Sequence, residues 1–369
     1  MTVQPPFKYD VVGSFLRPGY LKKAREEFAN KTIDAKQLKA IEDKAIQELV
    51  AKEKEVGLQA VTDGEFRRRY WHLDFLADLD GVEEIKAYHW SVHFKGHQPK
   101  AATLKITDKI DFGNHPFVEH FKYLQSIGQD TLCKMTIPSP SMLHLICCVR
   151  SEEYTPIKRY EDMDVLYHDI AIAYQKAIRA FYDAGCRYLQ LDDTSWGEFC
   201  DANKRKAYNK RGLDLDKIAK SYVDMINLAL EAKPKDMTIT MHICRGNFRS
   251  TWFSSGGYEP VAEILFGHCK VDGFFLEYDS ERSGDFSPLR FIKDQKVVLG
   301  LITSKFAKLE DKEEVKKRIQ EAEKYVAKEQ LCLSPQCGFS STEEGNIMTE
   351  DEQWAKVKLV KEIAEEVWR

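Results

Sequence analysis

The sequence predicts an α/β chain closed into a (β/α)8 TIM barrel, and three observations predict it. Eight short β-branched or apolar runs are bounded by Gly, Asp or Pro. Amphipathic stretches of helical length lie between them, the pattern of strands and helices alternating in a parallel sheet. The length, 369 residues, falls inside the span of roughly 200 to over 400 that such barrels occupy with insertions. A single domain over residues 1–369 is therefore expected, with an insertion at about 81–120.

Taken in order, the strand candidates are residues 9–12, 59–62, 133–137, 188–191, 238–241, 273–276, 297–301 and 330–333. Each is four or five residues long and mostly β-branched or apolar, with a breaker close by, as a strand buried on both faces requires. Helices are expected over 35–55, 164–184, 214–232, 260–266 and 312–329, where apolar residues recur every three or four positions. Two stretches exceed a minimal barrel. Residues 90–94 and 102–106 alternate polar and apolar and read as a β-hairpin with its loop at 96–100. Residues 198–211 are polar, follow the fourth strand, and read as a loop or lid over the barrel mouth.

Composition narrows the class of function. Hydrophobic residues make up 43% and charged residues 31%, which suits a globular chain with a sizeable core. A net charge of −4, with no long Lys/Arg cluster, removes the electrostatic case for nucleic acid. No run approaches 18 apolar residues and the start lacks a basic-then-apolar leader, so no membrane association and a cytoplasmic location are expected. Nine cysteines are an odd number, and a chain of this size needs no disulfides to hold its core. Small molecules are the expected partners.

Four residues from distant segments stand out: His242 and Cys244, then Glu277, then Cys337. Imidazole, thiolate and carboxylate are the ligands that Zn²⁺ accepts in tetrahedral geometry. His242 and Cys244 are two apart, so on an extended strand end they face the same side. All four follow predicted strands at the carboxyl end, where barrels of this kind carry their sites. The wide spacing excludes a zinc finger, which clips a short loop. The residues alone leave alternatives open: a hydrogen-bonded His beside a buried Cys, an ion pair of Glu277 with Arg282 or Arg245, and a structural thiol at 337.

Gly13-Ser14-Phe15, Asp63-Gly64-Glu65, Leu191-Asp192-Asp193, His242-Ile243-Cys244, Glu277 and Pro335-Gln336-Cys337-Gly338 occur in this order after successive strands. In that set the chain resembles the catalytic domain of cobalamin-independent methionine synthase over nearly its whole length. The resemblance implies a zinc-containing barrel that moves a methyl group to the thiol of homocysteine, with His242, Cys244, Glu277 and Cys337 as zinc ligands. It further implies that Asp192 and Glu65 hold the substrate amino group and that Ser14 contacts its carboxylate. The chemistry agrees, because a thiol of pKa about 8.5 is mostly protonated at neutral pH and Zn²⁺ holds it as thiolate. Asp193 should point away from the site. For Asp192 an Arg-paired carboxylate, for Glu65 a plain pair with the Arg67-Arg68-Arg69 run, and for Ser14 a turn role are the competing readings. The Arg run itself reads as a solvated face rather than an anion site.

Two family features on the methyl-donor side are missing. Where the family has a Trp that stacks on the pterin, residues 136–141 read Thr-Ile-Pro-Ser-Pro-Ser; where it has a His after the seventh strand, residues 301–304 read Leu-Ile-Thr-Ser. Full-length members also carry a second, N-terminal barrel, so a core-only relative is expected. The donor stays open between methyltetrahydrofolate, a methylcorrinoid and another small alkyl donor. Alkylation of a different thiol such as coenzyme M by an epoxide, or a non-catalytic zinc- or thiol-binding barrel, are the other readings. Ser255-Gly256-Gly257 is a weak anion-loop candidate, and Trp196, Trp252 and Tyr258 are candidates to line a substrate pocket.

Overall fold

The computed structural model describes residues 4–86 and 102–369. Its sheet strands are β1 (Ala60–Val61), β4 (Leu132–Pro138), β5 (Tyr188–Asp193), β6 (Thr238–Ile243), β7 (Gly273–Glu277), β8 (Lys296–Ile302) and β9 (Leu331–Pro335). They run parallel in the order β1-β4-β5-β6-β7-β8-β9. A separate antiparallel hairpin pairs β2 (Asp80–Lys86) with β3 (Ala102–Asp111). The expected strand at 102–106 lies within β3; the expected strand at 90–94 and loop at 96–100 lie outside the described residues.

The parallel sheet curls until its edges meet an extended segment, residues 8–14, which closes the barrel. On one side the segment bonds to β9 by backbone: Asp10 N donates to Leu333 O at 3.1 Å, and Leu333 N to Lys8 O at 2.9 Å. On the other side its backbone pairs with the stretch just past β1 at an isolated Ser14–Gly64 bridge. The missing ladder is replaced by side chains. Val11 O accepts from Lys134 Nζ at 2.6 Å, Val12 O from Gln190 Nε2 at 2.8 Å and Gly13 O from Thr62 Oγ1 at 2.8 Å. Three successive carbonyls are thus each met by one side-chain donor from a different strand or strand end.

That substitution makes the barrel interior polar beneath the site. Lys134 is buried between the rings of Tyr188 (4.8 Å) and Phe275 (4.2 Å), and Asp10 lies 3.5 Å away as its counter-ion. Asp10 also accepts from Tyr188 Oη at 2.8 Å. Beside this network a small apolar plug of Val12, Phe275, Val298 and Cys332 fills the interior.

Outside the sheet, helices cover the strands as their sequence periodicity predicts. Ala35–Val56 starts at a reciprocal capping box between Asp34 and Gln37 and stops at Gly57, whose φ of 90° only glycine adopts freely. Met163–Asp183, Leu215–Leu230 and Glu259–His268 match expectation within a few residues. Lys312–Ala322 ends seven residues early, because i to i+3 bonds from Lys324 and Tyr325 tighten its last turn. The expected loop at 198–211 is instead two short helices, Ser195–Cys200 and Ala202–Lys210. Asp201 is the joint between them, accepting from the backbone N–H of Asn203 and Lys204. The buried end of this stretch, Glu198 and Asp201, is polar for pairing and capping, whereas most of the second helix is solvent-exposed. Among the described residues no helix is long and apolar enough to cross a membrane.

Candidate metal and substrate site

The carboxyl ends of β6 and β7 and the turn after β9 bring His242, Cys244, Glu277 and Cys337 together. All four are buried, and one ligand atom from each lies within 4.8 Å of the others. Cys244 Sγ and Cys337 Sγ are 3.6 Å apart. His242 Nδ1 lies 3.3 Å from the carbonyl of Phe275, and its Nε2 is buried without a hydrogen-bond partner. A ring donating Nδ1–H to a carbonyl presents an unprotonated Nε2, the form in which imidazole binds metal. A buried nitrogen without a partner beside two thiols and a carboxylate fits a soft divalent cation such as zinc.

Of the two ion pairs weighed for Glu277 only the one with Arg282 forms, the Arg245 guanidinium going to Tyr258 and to the Gly256 carbonyl. Glu277 Oε2 pairs with Arg282 at 2.8 Å and its Oε1 accepts from the backbone N–H of Arg245 at 3.2 Å. Burial works to raise its pKa, but Arg282, Lys305 and Arg245 together hold it below the usual carboxylate range. Cys244 is pushed well above the ordinary thiol value, first by its contact with Cys337 and then by burial. His242 is raised despite burial, by Cys244, Asp192 and Glu277.

The expected substrate residues flank this cluster. Asp192 sits opposite His242 in the β5–β6 register. Its Oδ1 accepts from Gln190 Nε2 at 2.8 Å. Burial raises its pKa to about 7, with His242 opposing and Glu65 adding to the rise. Glu65 Oε1 is held by Thr136 Oγ1 at 2.9 Å and by Arg68 at 3.2 Å, whereas its Oε2 is buried with no partner. The plain Glu65–Arg68 pair is therefore real, yet it occupies one oxygen only. Ser14 packs against Gly338, where a Cβ would collide with Ser14 Oγ. Gly338 directly follows Cys337, so a residue from the first segment is seated beside the metal cluster.

Other readings resolve differently. Asp193 faces away, as expected, its carboxylate bonded to the hydroxyls of Ser141 and Ser195 and to the N–H of Ser195. The Arg run is not a solvated face: Arg67 pairs with Glu42 and Asp43, Arg68 is buried against Glu65 and the Thr136 carbonyl, and only Arg69 is exposed. Trp196 is fully buried, edge-on to Phe199 and Tyr222, so it packs its own helix. Tyr258 is equally buried and accepts from Arg245 at 2.6 Å. Trp252 is 38% exposed under the Arg282 guanidinium. The Ser255 and Gly256 N–H groups already bond to Asp201 and to the Arg282 carbonyl, which takes two of the three N–H groups that loop could offer an anion.

Residues 7–366 match the family model described as the cobalamin-independent synthase catalytic domain. The chain belongs to this family. It is 50% identical over 368 residues to the Bacillus subtilis uncharacterized protein YxjG, covering 99% of this chain and 96% of that protein. A crystal structure from Listeria monocytogenes, provisionally assigned as a vitamin-B12-independent methionine synthase, is 47% identical with a TM-score of 0.80, covering 99% and 98% of the two chains. A B12-independent methionine synthase from Shewanella sp. W3-18-1 in complex with selenomethionine shares the fold at 19% identity, TM-score 0.72, with 98% and 97% covered. Gln190 and Thr136, the residues that anchor the two carboxylates of this synthase-family barrel, were not singled out by sequence reasoning. Their only signal is a polar residue in an otherwise apolar strand, spaced to face the barrel interior.

Proposed function

We propose that this protein transfers a methyl group to the sulfur of homocysteine, giving methionine, and that His242, Cys244, Glu277 and Cys337 hold the zinc ion it uses. The observation that carries this reading is a juxtaposition. A buried soft-ligand cluster stands next to two carboxylates, one of which, Glu65, has an unpaired buried oxygen. A ligand with a thiol at one end and an ammonium at the other satisfies both.

When bound, zinc supplies a Lewis acid that keeps a substrate sulfur in its nucleophilic thiolate form at neutral pH. The chain's residues do the rest. Asp192 and Glu65 take the ammonium, and Ser14 takes the α-carboxylate. The buried walls around them exclude water, so these charged contacts are stronger than they would be in solvent. The Shewanella relative binds selenomethionine, an amino acid of the same class as the product proposed here. A charged hydrogen bond is worth roughly 1.5–3 kcal/mol, so Asp192→Asn should weaken homocysteine binding roughly 10- to 100-fold. The des-amino analogue 4-mercaptobutanoate should be little affected. Equal losses for the two thiols, measured by calorimetry on zinc-loaded protein, would refute the role of Asp192.

The methyl donor is read from the other wall, between a methylfolate and a methylcorrinoid. Thr136 spends its hydroxyl on Glu65, and residues 137–141 include no aromatic ring to stack on a pterin. Thr303, in the place of a family imidazole, has its N–H on Glu310 and its hydroxyl on Gln336. Stacking is worth about 1–3 kcal/mol and a general acid about 10²- to 10⁴-fold in rate. Methyltetrahydrofolate should therefore be a poor donor beside a methylcorrinoid. Turnover with the folate at about 1 s⁻¹ or more would overturn this.

A further inference from the structure

We infer that Gln190 is the positioning residue that sets this site's selectivity for thiols bearing an amino group. The inference rests on the proposed roles of Asp192 and Ser14 and adds what holds them in relation to each other.

Gln190 is fully buried inside the barrel on β5, two residues before Asp192 and therefore on the same face. Its Nε2 lies 2.8 Å from Val12 O and 2.8 Å from Asp192 Oδ1. Val12 O can only accept, so the amide has one chemically allowed orientation, with the NH2 group toward it and toward Asp192 Oδ1. Both of its hydrogens are used. Its Oε1 is buried with no partner, so the side chain is held solely by these two bonds.

The two bonds reach different parts of the recognition site. One ends on Asp192. The other ends two residues before Ser14, on the segment that lacks a backbone ladder toward β1. A single planar amide of fixed size thus sets the separation between the ammonium contact and the carboxylate contact. It also restricts Asp192 to one rotamer and leaves its second oxygen for the ligand. A residue with only a packing role would need neither acceptor.

The test uses zinc-loaded protein, with homocysteine and 4-mercaptobutanoate titrated calorimetrically against wild type, Gln190→Met and Asp192→Asn. Gln190→Met keeps the length and volume and removes both donors. It should retain zinc, weaken homocysteine roughly 10-fold and change 4-mercaptobutanoate less than about twofold. In turnover it should raise KM for homocysteine with kcat little altered. Gln190→Leu, which also removes both donors and adds no charge, should show the same loss of selectivity and serves if the Met variant does not fold. Equal weakening of the two thiols by the Gln190 variants, or none, overturns the inference. If Asp192→Asn loses the discrimination and the Gln190 variants keep it, only the positioning role fails. If Asp192→Asn also keeps it, the proposed amino-group site fails with it.

Discussion

The two halves of the barrel wall are built differently. From β4 to β9 every strand is bonded to the next by a parallel ladder, with one register shift, between Gly300 and Ile302 of β8. Between β9 and β1 the wall is the segment 8–14, bonded by backbone on one side and mainly by the side chains of Lys134, Gln190 and Thr62 on the other. Three of the four candidate metal ligands lie at the ends of β6 and β7 and the fourth just past β9, all on the laddered side. Two of the three candidate substrate residues, Ser14 and Glu65, lie across the seam. The difference assigns rigidity to the place where ligand geometry is most demanding, and leaves the substrate wall dependent on a few replaceable bonds.

The comparison breaks most visibly on the metal side. Cys244→Ser or Cys337→Ser should abolish stoichiometric zinc, read by elemental analysis, while the circular dichroism of the barrel is unchanged because no ladder bond is touched. Zinc retained by both variants would remove the cluster from the mechanism. A smaller effect, and of the opposite kind, is expected at the seam. Lys134→Met leaves Asp10 buried without its counter-ion, and breaking such a pair costs about 3 to 5 kcal/mol. The lower end applies, since Asp10 keeps bonds from Tyr188 and from the N–H of Phe7 and Val11. Urea unfolding should show this loss with zinc content preserved, and a change below about 1 kcal/mol would mean that the seam does not depend on its side chains. The smallest effect belongs to Thr62→Val. It strips the donor from Gly13 O and the acceptor from Gly64 N–H, for roughly 1 kcal/mol.

Much of this was legible before the structure. Strand runs and the four soft ligands could be read from type and spacing, because parallel strands buried on both faces leave a continuous apolar signature and barrels place chemistry at one end. The seam was not legible. Residues 9–12 have the composition of a strand, and nothing local tells that their carbonyls are met by Lys134, Gln190 and Thr62, up to 178 residues away. The Arg67-Arg68 burial was hidden for the same reason, since Glu42 and Asp43 are contributed by the preceding helix. Residues 198–211 looked like a loop because polarity was read as irregular structure, whereas Glu198 is buried against Arg150 and Asp201 caps a helix whose polar residues are largely exposed.

Glu65 sits at a φ of 62°, directly after Gly64 at 64°. A residue with a Cβ in that left-handed region is strained by about 1 kcal/mol or more, and here it also buries a carboxylate oxygen with no partner. Under the proposed role of Glu65, the capacity to hold an ammonium group is a local debit in stability. A library at position 65 selected only for surviving heat should enrich Gly and Asn, and drift toward sturdy barrels that no longer recognise an amino acid. The same library selected for methionine prototrophy should hold the position at Glu.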